Sequence, residues 1–515
     1  MGDQNTLLTL SDARHLLRRS GFGVRQDRAA KFTGMTRGAA ADSLLGAKPS
    51  GFKPIGRDIE NRHNSWLRYM ITIRDPRTEV QEKLVVFWHD HFSTNNDKVG
   101  DPKLMANQNL LFRKFCKGNF KALVKAVNKD AAMMEFLDTV RNVKEQPNEN
   151  YAREVQELFT LGVKDYNGNH NYAQEDIVQI ARAFTGWDYN HIGKAVFVAG
   201  PGGEHDYTAD WPDRGPKVIY KNNPQFGPGG INYAPTPSAE GALEIDAVVD
   251  AIFSHRDSDG HNTVARFITG KLFTYYAQPY PKRPTQAALK PIIDQLITAS
   301  GFDTNWDLRG LLRAIFVSDA FYDPTLGATA AAAPFGAADK KSVKWPIDYV
   351  VGTLRTLNFR LRDPGQYVDG GDYAAIRDQL ANMGQVLFEP PSVFGWDWET
   401  AWISSATLLA RYDFARDVTS ARGRGLSSFR PNTLSPALAA LIKDTAADPT
   451  AIVNAVTDVL GVTDQLTSTE KSKLVSYLTD NGTNPTLDLT DYDTRNAKLN
   501  GVFALVLQSP AYQVH

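Results

Sequence analysis

The chain has 515 residues, of which 42% are hydrophobic and 22% charged, so intrinsically disordered, collagen-like and disulfide-miniprotein classes are excluded. Lys and Arg (57) nearly balance Asp and Glu (58), and the net charge of −1 provides no overall field to attract nucleic acid or an anionic membrane. The single cysteine, Cys116, excludes an internal disulfide and a Cys-rich metal or iron–sulfur site.

Helical periodicity dominates the chain. Apolar residues at helical spacing predict a mainly α, multi-helix globular protein. In chain order, the segments with this pattern are 80–92, 110–115, 120–127, 151–159, 176–184, 244–253, 264–276, 308–316, 350–357 and most of 435–508. Alternation with period two is scarce, so we expect few strands.

Two segments depart from the helical pattern. Residues 188–237 are dense in Gly and Pro, and they predict a long non-helical insertion that is a candidate lid. Residues 324–338 form an Ala-rich run with Gly and Pro. We divide the chain into a main helical domain, 1–423, and a C-terminal helical subdomain, 424–515, which follows RGRGLSS.

The sequence has neither a membrane-span pattern nor a signal-peptide pattern. It contains no apolar run of 18 residues, and its first residues lack the apolar stretch of a secretory leader. We therefore expect a soluble protein, cytoplasmic or, if a leader was removed, periplasmic. The sequence leaves the oligomeric state open.

The most specific stretch is PNENYAREVQELFTLGV at 147–163, followed by YAQEDIVQIARAFTGW at 172–187. Further blocks are LLRRSGFG (16–23), KLVVFWHDHFST (83–94), ARFITGKLFTYY (265–276), VKWPIDYVVGTLRTL (343–357) and MGQVLFEPPSVFGWDWETAWISSATLLAR (383–411). In this order the blocks resemble the bacterial family known only as domain of unknown function 1800. The resemblance spans most of 11–415 and implies a bacterial source, but no reaction.

Two features depart from the pattern of that family. Ala173 stands where a capping Thr is usual, and the 188–237 insertion keeps His205 and Asp206 but little of the short motif expected there.

The 147–163 helix carries the leading catalytic candidates. Glu149, Arg153 and Glu157 recur at i, i+4 and i+8 along one polar stripe, and Glu154 lies at its boundary with the apolar stripe. One interpretation is a solvated ladder of charges. The other is a cleft in which Arg153 fixes an anionic group and half-buried Glu154, with a raised pKa, acts as a general acid.

The WHDH segment holds three more catalytic candidates. His91 falls on the apolar stripe of its helix, whereas His89 and Asp90 point elsewhere. A core histidine is the common outcome of such a pattern. Two histidines at i and i+2 diverge by about 200° on a helix, so a shared metal requires the helix to end near Trp88. Haem is not expected, because Val85 stands where the similar segment of haem peroxidases carries Arg.

A loop-borne group of aromatic residues and several amide or cationic side chains are candidates for substrate binding. Buried structural tryptophans are the alternative to a platform for sugar rings. Internal ion pairs with helix carboxylates are the default for Arg266, Lys271 and Arg411, which lie in apolar helical patterns. Capping is the expected role of Asn148. The candidate binding residues are Asn150, Trp187, Trp396, Trp398, Trp402 and Arg411.

Three functions are compatible with these patterns. The leading hypothesis is a hydrolase that uses the carboxylates of 149–157 on a carbohydrate-like polymer. The second is a metal-dependent hydrolase in which His89 or His91 with Glu149, Glu154 or Asp90 binds a divalent ion. The third is a non-catalytic envelope or assembly protein with a Trp-rich partner surface. We expect a polysaccharide or small-molecule substrate. A nucleotide is not expected, because the sequence has no P-loop and GPGGI is not a dinucleotide fingerprint. Neither haem, because of Val85, nor nucleic acid, because of the near-zero net charge, is expected.

Overall fold

The computed structural model describes residues 2–47, 51–198, 212–221, 223–226, 229–233, 241–277, 286–322, 342–359, 361, 372–420 and 429–515. Helices dominate these ranges, which confirms the predicted mainly α class. The chain forms two units. The first consists of Leu84–Ala338 and Phe388–Trp396, and the second of Gly2–Lys83, Asp339–Leu387 and Asp397–His515. The division at 423/424 stays a prediction.

The first unit contains most of the segments singled out in the sequence. It begins within the helix Pro76–His91, whose residues from Leu84 onward belong to it. Its other described helices are Asn96–Val99, Pro102–Phe115, Phe120–Val127, Ala131–Phe136, Glu149–Glu157, Gln174–Ala183, Gly241–Ser254, Thr263–Tyr276, Gln286–Ser300, Phe302–Asn305, Leu308–Val317 and Asp319–Tyr322, with 3₁₀ turns at Thr139–Arg141 and Pro224–Phe226.

The second unit is helical throughout its described ranges. A buried aromatic group centred on Tyr349, whose ring lies 5.6 Å from that of Phe414, forms part of its core. Its helices are Leu10–Ser20, Gln26–Phe32, Arg37–Leu45, Ile59–Thr72, the first half of Pro76–His91, Pro346–Thr356, Asp372–Asn382, Ser405–Thr419, Pro436–Leu441, Pro449–Val459, Ser468–Leu478, Tyr492–Thr494, Asn500–Gln508 and Pro510–Gln513, with a π-helical turn at Arg495–Leu499 and 3₁₀ turns at Glu399–Trp402 and Pro431–Thr433.

Aromatic packing joins two of the predicted helical segments in the first unit. The rings of Phe92 and Phe159 are 5.2 Å apart, and the ring of Trp88 stacks on those of Phe92 and Phe120. All four side chains are fully buried. The 80–92 and 147–163 segments are therefore in contact just past the C-terminal ends of their helices. That the polar edges of the two helices form one site stays a prediction.

The described part of the 188–237 insertion is non-helical apart from one 3₁₀ turn, as predicted. Trp187–Tyr189 pairs antiparallel with Ala195–Phe197, and Lys217–Ile219 pairs antiparallel with Ile231–Tyr233. Residues 199–211, which include His205 and Asp206, lie outside the described residues, as does the Ala-rich run 324–338.

One described part of this insertion packs on the helix of the catalytic candidates. Tyr220 is buried, and its hydroxyl donates to Gln156 Oε1 at 3.1 Å. Gln156 is two residues after Glu154 and thus about 200° around the helix from it. This contact favours a structural role for the strand that ends at Ile219. The lid stays a prediction.

Candidate active site on the Glu149–Glu157 helix

The helix of the catalytic candidates is shorter than its periodicity predicts. Asn148 caps its N-terminus by accepting a hydrogen bond from Asn150 N at 2.9 Å, which is the role expected for Asn148. The helix ends at Glu157 instead of continuing to 163. Gly162 adopts a positive φ of 78°, and its N–H bonds to Gln156 O at 3.0 Å, so the chain turns away there.

Glu154 lies half-buried on the exposed side of this helix, at the boundary where the sequence placed it. Within the described residues, no group forms a hydrogen bond or an ion pair with its carboxyl. Burial, reinforced by the negative charge of Glu157, raises the pKa of Glu154 to about 7, against the opposing effect of Arg153. The carboxyl is thus both protonated and ionised in comparable amounts near neutral pH.

Glu157 lies one turn further along and has a defined partner. The hydroxyl of Tyr172 donates to Glu157 Oε2 at 2.8 Å. Burial, followed by this hydrogen bond and the charge of Glu157, raises the pKa of Tyr172, so the phenol keeps its proton at neutral pH. The two carboxyls therefore differ in environment: Glu157 accepts a hydrogen bond and Glu154 does not. We call Arg153, Glu154, Glu157 and Tyr172 the carboxyl cluster.

The predicted ladder of charges forms only in part. Arg153 Nη2 lies 3.2 Å from Glu149 Oε2, with both side chains more than one-third exposed. Gln174 completes this group, since its amide donates to Glu149 Oε2 at 2.7 Å and its oxygen accepts from Arg153 at 3.1 Å. Glu157 is bound to Tyr172 instead. The contribution of the exposed Arg153–Glu149 pair to stability is about 0.3–0.5 kcal/mol.

Asn150 extends the polar surface from the first turn of the helix. Its side-chain amide donates to Asp138 Oδ2 at 3.3 Å. Asp138 also pairs with Lys98 and with Arg141, each at 2.8 Å. Asn150 and Glu154 are i and i+4 neighbours, so this group adjoins the carboxyl cluster on one helix face.

His91 is buried with both ring nitrogens in contact with other groups. Its Nε2 lies 3.1 Å from the backbone oxygen of Phe159, and a carbonyl can only accept, so this nitrogen carries the proton. Its Nδ1 then accepts from Lys271 Nζ at 3.0 Å. Burial, together with the charge of Lys271, lowers the pKa of His91 well below its ordinary value. These contacts favour the core-histidine interpretation over a catalytic one.

His89 and Asp90 bind the backbone of the 383–411 block. His89 Nε2 accepts from Phe388 N at 2.9 Å, and Asp90 Oδ1 accepts from Trp396 N at 2.7 Å. Burial lowers the pKa of His89 to about 3, so its ring is neutral. A metal shared by His89 and His91 would require the helix to end near Trp88. The helix continues to His91, so this condition is not met.

The tryptophans singled out in the sequence are mostly buried. The exposed fractions of Trp187, Trp396 and Trp402 are 5%, 3% and 4%, and Trp398 is intermediate. A ring buried to this degree offers no free face to a sugar. The packing interpretation is therefore favoured for these three residues, although their assignment to substrate binding stays a prediction. Trp398 and Trp402 belong to the second unit.

The cationic candidates differ in their partners. Arg411, in the second unit, is fully buried and donates to Gln513 Oε1 and to Lys344 O at 3.0 and 2.8 Å. Arg266 pairs with three carboxylates at 2.7 Å, those of Asp257, Asp259 and Asp294, so the internal ion pairs expected for it are confirmed. Lys271 binds His91 rather than a carboxylate.

Sequence analysis missed two residues of interest in this unit. Tyr172 opens the second specific block, but nothing in its local pattern indicates that it reaches Glu157, fifteen residues away. Phe394, in the 383–411 block, is 70% exposed, whereas the sequence analysis singled out the three tryptophans that follow it. Phe394 lies between two prolines and a glycine, and this pattern could have indicated that it is on a surface loop.

Two further features are absent from the described ranges. They contain no group of three or more His, Cys, Asp and Glu side chains arranged to hold a metal ion. No helix within them combines the length and apolar character that crossing a bilayer requires.

Comparison with known proteins identifies a family. A family model described as a protein of unknown function (DUF1800) matches residues 15–514. This match extends past the resemblance seen in the motifs and includes the C-terminal helices. The chain matches no curated protein and no solved structure. Because the match covers nearly the whole chain, the protein belongs to the DUF1800 family of proteins of unknown function.

Proposed function

We propose that the protein is a hydrolase that cleaves a carbohydrate-like polymer with the carboxyl cluster. The observation that carries this proposal is the difference between two neighbouring carboxyls. Glu154 is half-buried with a pKa of about 7, and Glu157 accepts a hydrogen bond from Tyr172. Pairs of carboxyls whose environments separate their protonation states supply the acid and the base of glycoside hydrolysis.

In this mechanism Glu154 is the general acid. It donates its proton to the glycosidic oxygen as the bond from that oxygen to the anomeric carbon breaks. Glu157 is the base that takes a proton from the water attacking the anomeric carbon. Proton exchange with solvent then returns Glu154 to its acid form and Glu157 to its carboxylate form. Tyr172 is a positioning residue, because its hydroxyl orients the Glu157 carboxylate.

The groups around the carboxyl cluster support a carbohydrate as the substrate. Asn150 and Gln174 are both exposed and adjoin the cluster, since Gln174 bonds to Arg153 and Asn150 is one helical turn before Glu154. Amides both donate to and accept from hydroxyls. The positive charges there are paired, Arg153 with Glu149 and Lys98 with Asp138. A surface of this kind recognises neutral polar groups better than a strongly charged substrate.

The test is an activity screen that compares wild type with Glu154→Gln. Soluble polysaccharides are incubated with each protein from pH 5 to 8, and new reducing ends are measured. We expect wild type to release reducing ends, with activity falling above about pH 7 as Glu154 loses its proton. Glu154→Gln keeps the shape of the side chain but lowers turnover by at least about 100-fold.

The matched control is Glu145→Gln, because Glu145 is an exposed glutamate outside the carboxyl cluster in the same unit. It should retain wild-type turnover. Equal turnover of wild type and a folded Glu154→Gln variant would show that the proposal is wrong for this cluster.

A further inference from the structure

The segment Phe388–Trp396 is a loop with an unusually complete set of backbone anchors. In addition to the bonds to His89 and Asp90, three more hydrogen bonds hold it to the chain that follows the WHDH helix. They are Ser93 Oγ to Ser392 O at 2.6 Å, Asn95 Nδ2 to Pro390 O at 2.9 Å and Asn96 N to Phe388 O at 2.9 Å. We call this segment the 388–396 loop.

The 388–396 loop is also restricted by its own residues. Pro390 and Pro391 fix their φ angles, and Gly395 has a φ of +85° close against Asp90. Little conformational entropy remains to be lost when such a loop binds a partner.

This fixed loop presents one large apolar side chain to solvent. Phe394 is 70% exposed, although the flanking Gly395 and Trp396 are buried. An exposed Phe ring forgoes the favourable free energy that its burial would contribute. A rigid backbone that holds an aromatic ring in solvent is the arrangement of a binding anchor.

A series of contacts connects this loop to the carboxyl cluster. Asn96, which bonds to the loop, begins the short helix that carries Lys98. Lys98 pairs with Asp138, and Asp138 accepts from Asn150, which is one helical turn before Glu154. A chain of polar contacts within one unit thus links the loop to the carboxyl cluster.

We propose that the 388–396 loop is a binding subsite for a neutral polysaccharide, in which the ring of Phe394 stacks on a sugar ring. This inference rests on the proposed function and adds a subsite to it. An aromatic face suits the apolar face of a sugar. The polar residues between the loop and the carboxyl cluster supply amides and paired charges that suit its hydroxyls. A neutral chain is favoured because the cations of this surface already have carboxylate partners.

The experiment measures binding separately from cleavage. Affinity electrophoresis is run in gels containing laminarin, xylan, dextran or a soluble cellulose derivative without charge, with Glu154→Gln as the parent to prevent turnover. Onto this parent are added Phe394→Leu, which keeps apolar volume but removes the ring, and Phe394→Trp, which restores one. Ile192→Ala is the control, since Ile192 is another exposed apolar residue of the same unit.

We expect at least one of these polysaccharides to retard the parent. Phe394→Leu should weaken binding about tenfold, an effect in the range of one aromatic contact. Phe394→Trp and Ile192→Ala should bind within about twofold of the parent. If a polysaccharide retards the parent but wild type does not cleave it, the proposed chemistry is refuted and the binding subsite is supported.

Two results would overturn the subsite. The first is the absence of retardation by any of the four neutral polysaccharides, or retardation that Phe394→Leu leaves unchanged. The second is self-association, measured by light scattering, that Phe394→Leu abolishes without a change in polysaccharide binding. That result would assign the ring to a second copy of the chain.

Discussion

The hydroxyl of Tyr172 lies 2.8 Å from Glu157 Oε2 and donates to it, one helical turn from Glu154. This contact holds the Glu157 carboxylate in place, and the negative charge of Glu157 is one of the causes of the raised pKa of Glu154. Tyr172 therefore acts on Glu154 through a second carboxyl. A change in the position of Glu157 is then measurable as a change in the pKa of Glu154.

Replacing Tyr172 tests this coupling directly. In Tyr172→Phe the donor is lost while the ring remains, so the Glu157 carboxylate is no longer held in place and can move away into solvent. Its Coulomb effect on Glu154 then weakens, and the pKa of Glu154 should fall below 7. A fall of up to about one unit corresponds to the loss of one hydrogen bond. Carbon-13 NMR of labelled glutamate measures the titration, and the signal that vanishes in Glu154→Gln identifies Glu154. An identical titration curve in wild type and Tyr172→Phe would contradict the coupling.

Glu154→Gln should alter the pH dependence of stability. The pKa of Glu154 rises from 4.5 to about 7 on folding, so the folded state favours its protonated form. Stability from this group is fully present below pH 4.5 and is lost as the pH rises through 7. Glu154→Gln should match wild type at pH 4 and be more stable by about 1 kcal/mol at pH 8, a value reduced for solvent screening of a half-exposed group.

Urea unfolding at the two pH values measures this difference. Glu145→Gln, which changes an exposed glutamate, should follow wild type at both. A Glu154→Gln variant that is less stable than wild type at pH 8 would mean that the carboxylate has a stabilising partner.

Gly395→Ala should destabilise the protein through the 388–396 loop. Gly395 has a φ of +85°, and an added Cβ would lie 2.7 Å from Asp90 O, too close for two atoms that are not bonded. We expect a loss of at least about 2–3 kcal/mol from the combination of backbone strain and overlap. Gly168→Ala isolates the backbone strain, because Gly168 has a φ of +91° and no atom within 4 Å of the position that its Cβ would occupy.

Gly168→Ala should therefore lose only about 1–2 kcal/mol. Urea unfolding monitored by tryptophan fluorescence compares the two variants. Equal losses would show that Asp90 and the loop move apart without cost.

Asp130 is a buried carboxyl outside the carboxyl cluster. It caps the helix Ala131–Phe136 by accepting from Met133 N at 3.0 Å, and it accepts from Gln108 Nε2 at 2.8 Å. Asp130→Ala removes both bonds and should lower the free energy of unfolding by about 1–2 kcal/mol. Asp130→Asn keeps an acceptor and should retain most of that stability.

The pH dependence of stability separates the hydrogen bonding of Asp130 from its ionisation. Burial raises its pKa from 3.8 to about 6, so its contribution to stability is greatest below pH 3.8 and declines as the pH rises through 6. Asp130→Asn does not ionise. It should therefore gain stability relative to wild type between pH 4 and 7 in thermal unfolding, and a constant difference over that range would contradict a perturbed carboxyl.

Local sequence determined the helical elements and the position of Glu154. The repeat of 100° per residue fixes which residues share a helix face, and it placed Glu154 between the apolar and polar stripes. Half-burial and a raised pKa follow from that position, as the structure has them. The cap at Asn148 is equally local, since it joins residues two apart.

Tertiary structure decided which groups meet. The bond from Tyr172 to Glu157 needs the packing of Gln174–Ala183 against Glu149–Glu157, and the anchors of the 388–396 loop join residues about 300 positions apart, such as His89 and Phe388. Periodicity also does not distinguish a buried aromatic residue from an exposed one on a loop. Trp396 was therefore predicted to bind substrate, whereas in the structure Trp396 is buried and Phe394 is exposed. Contacts between distant segments depend on how whole faces pack, and no local pattern in the chain specifies that packing.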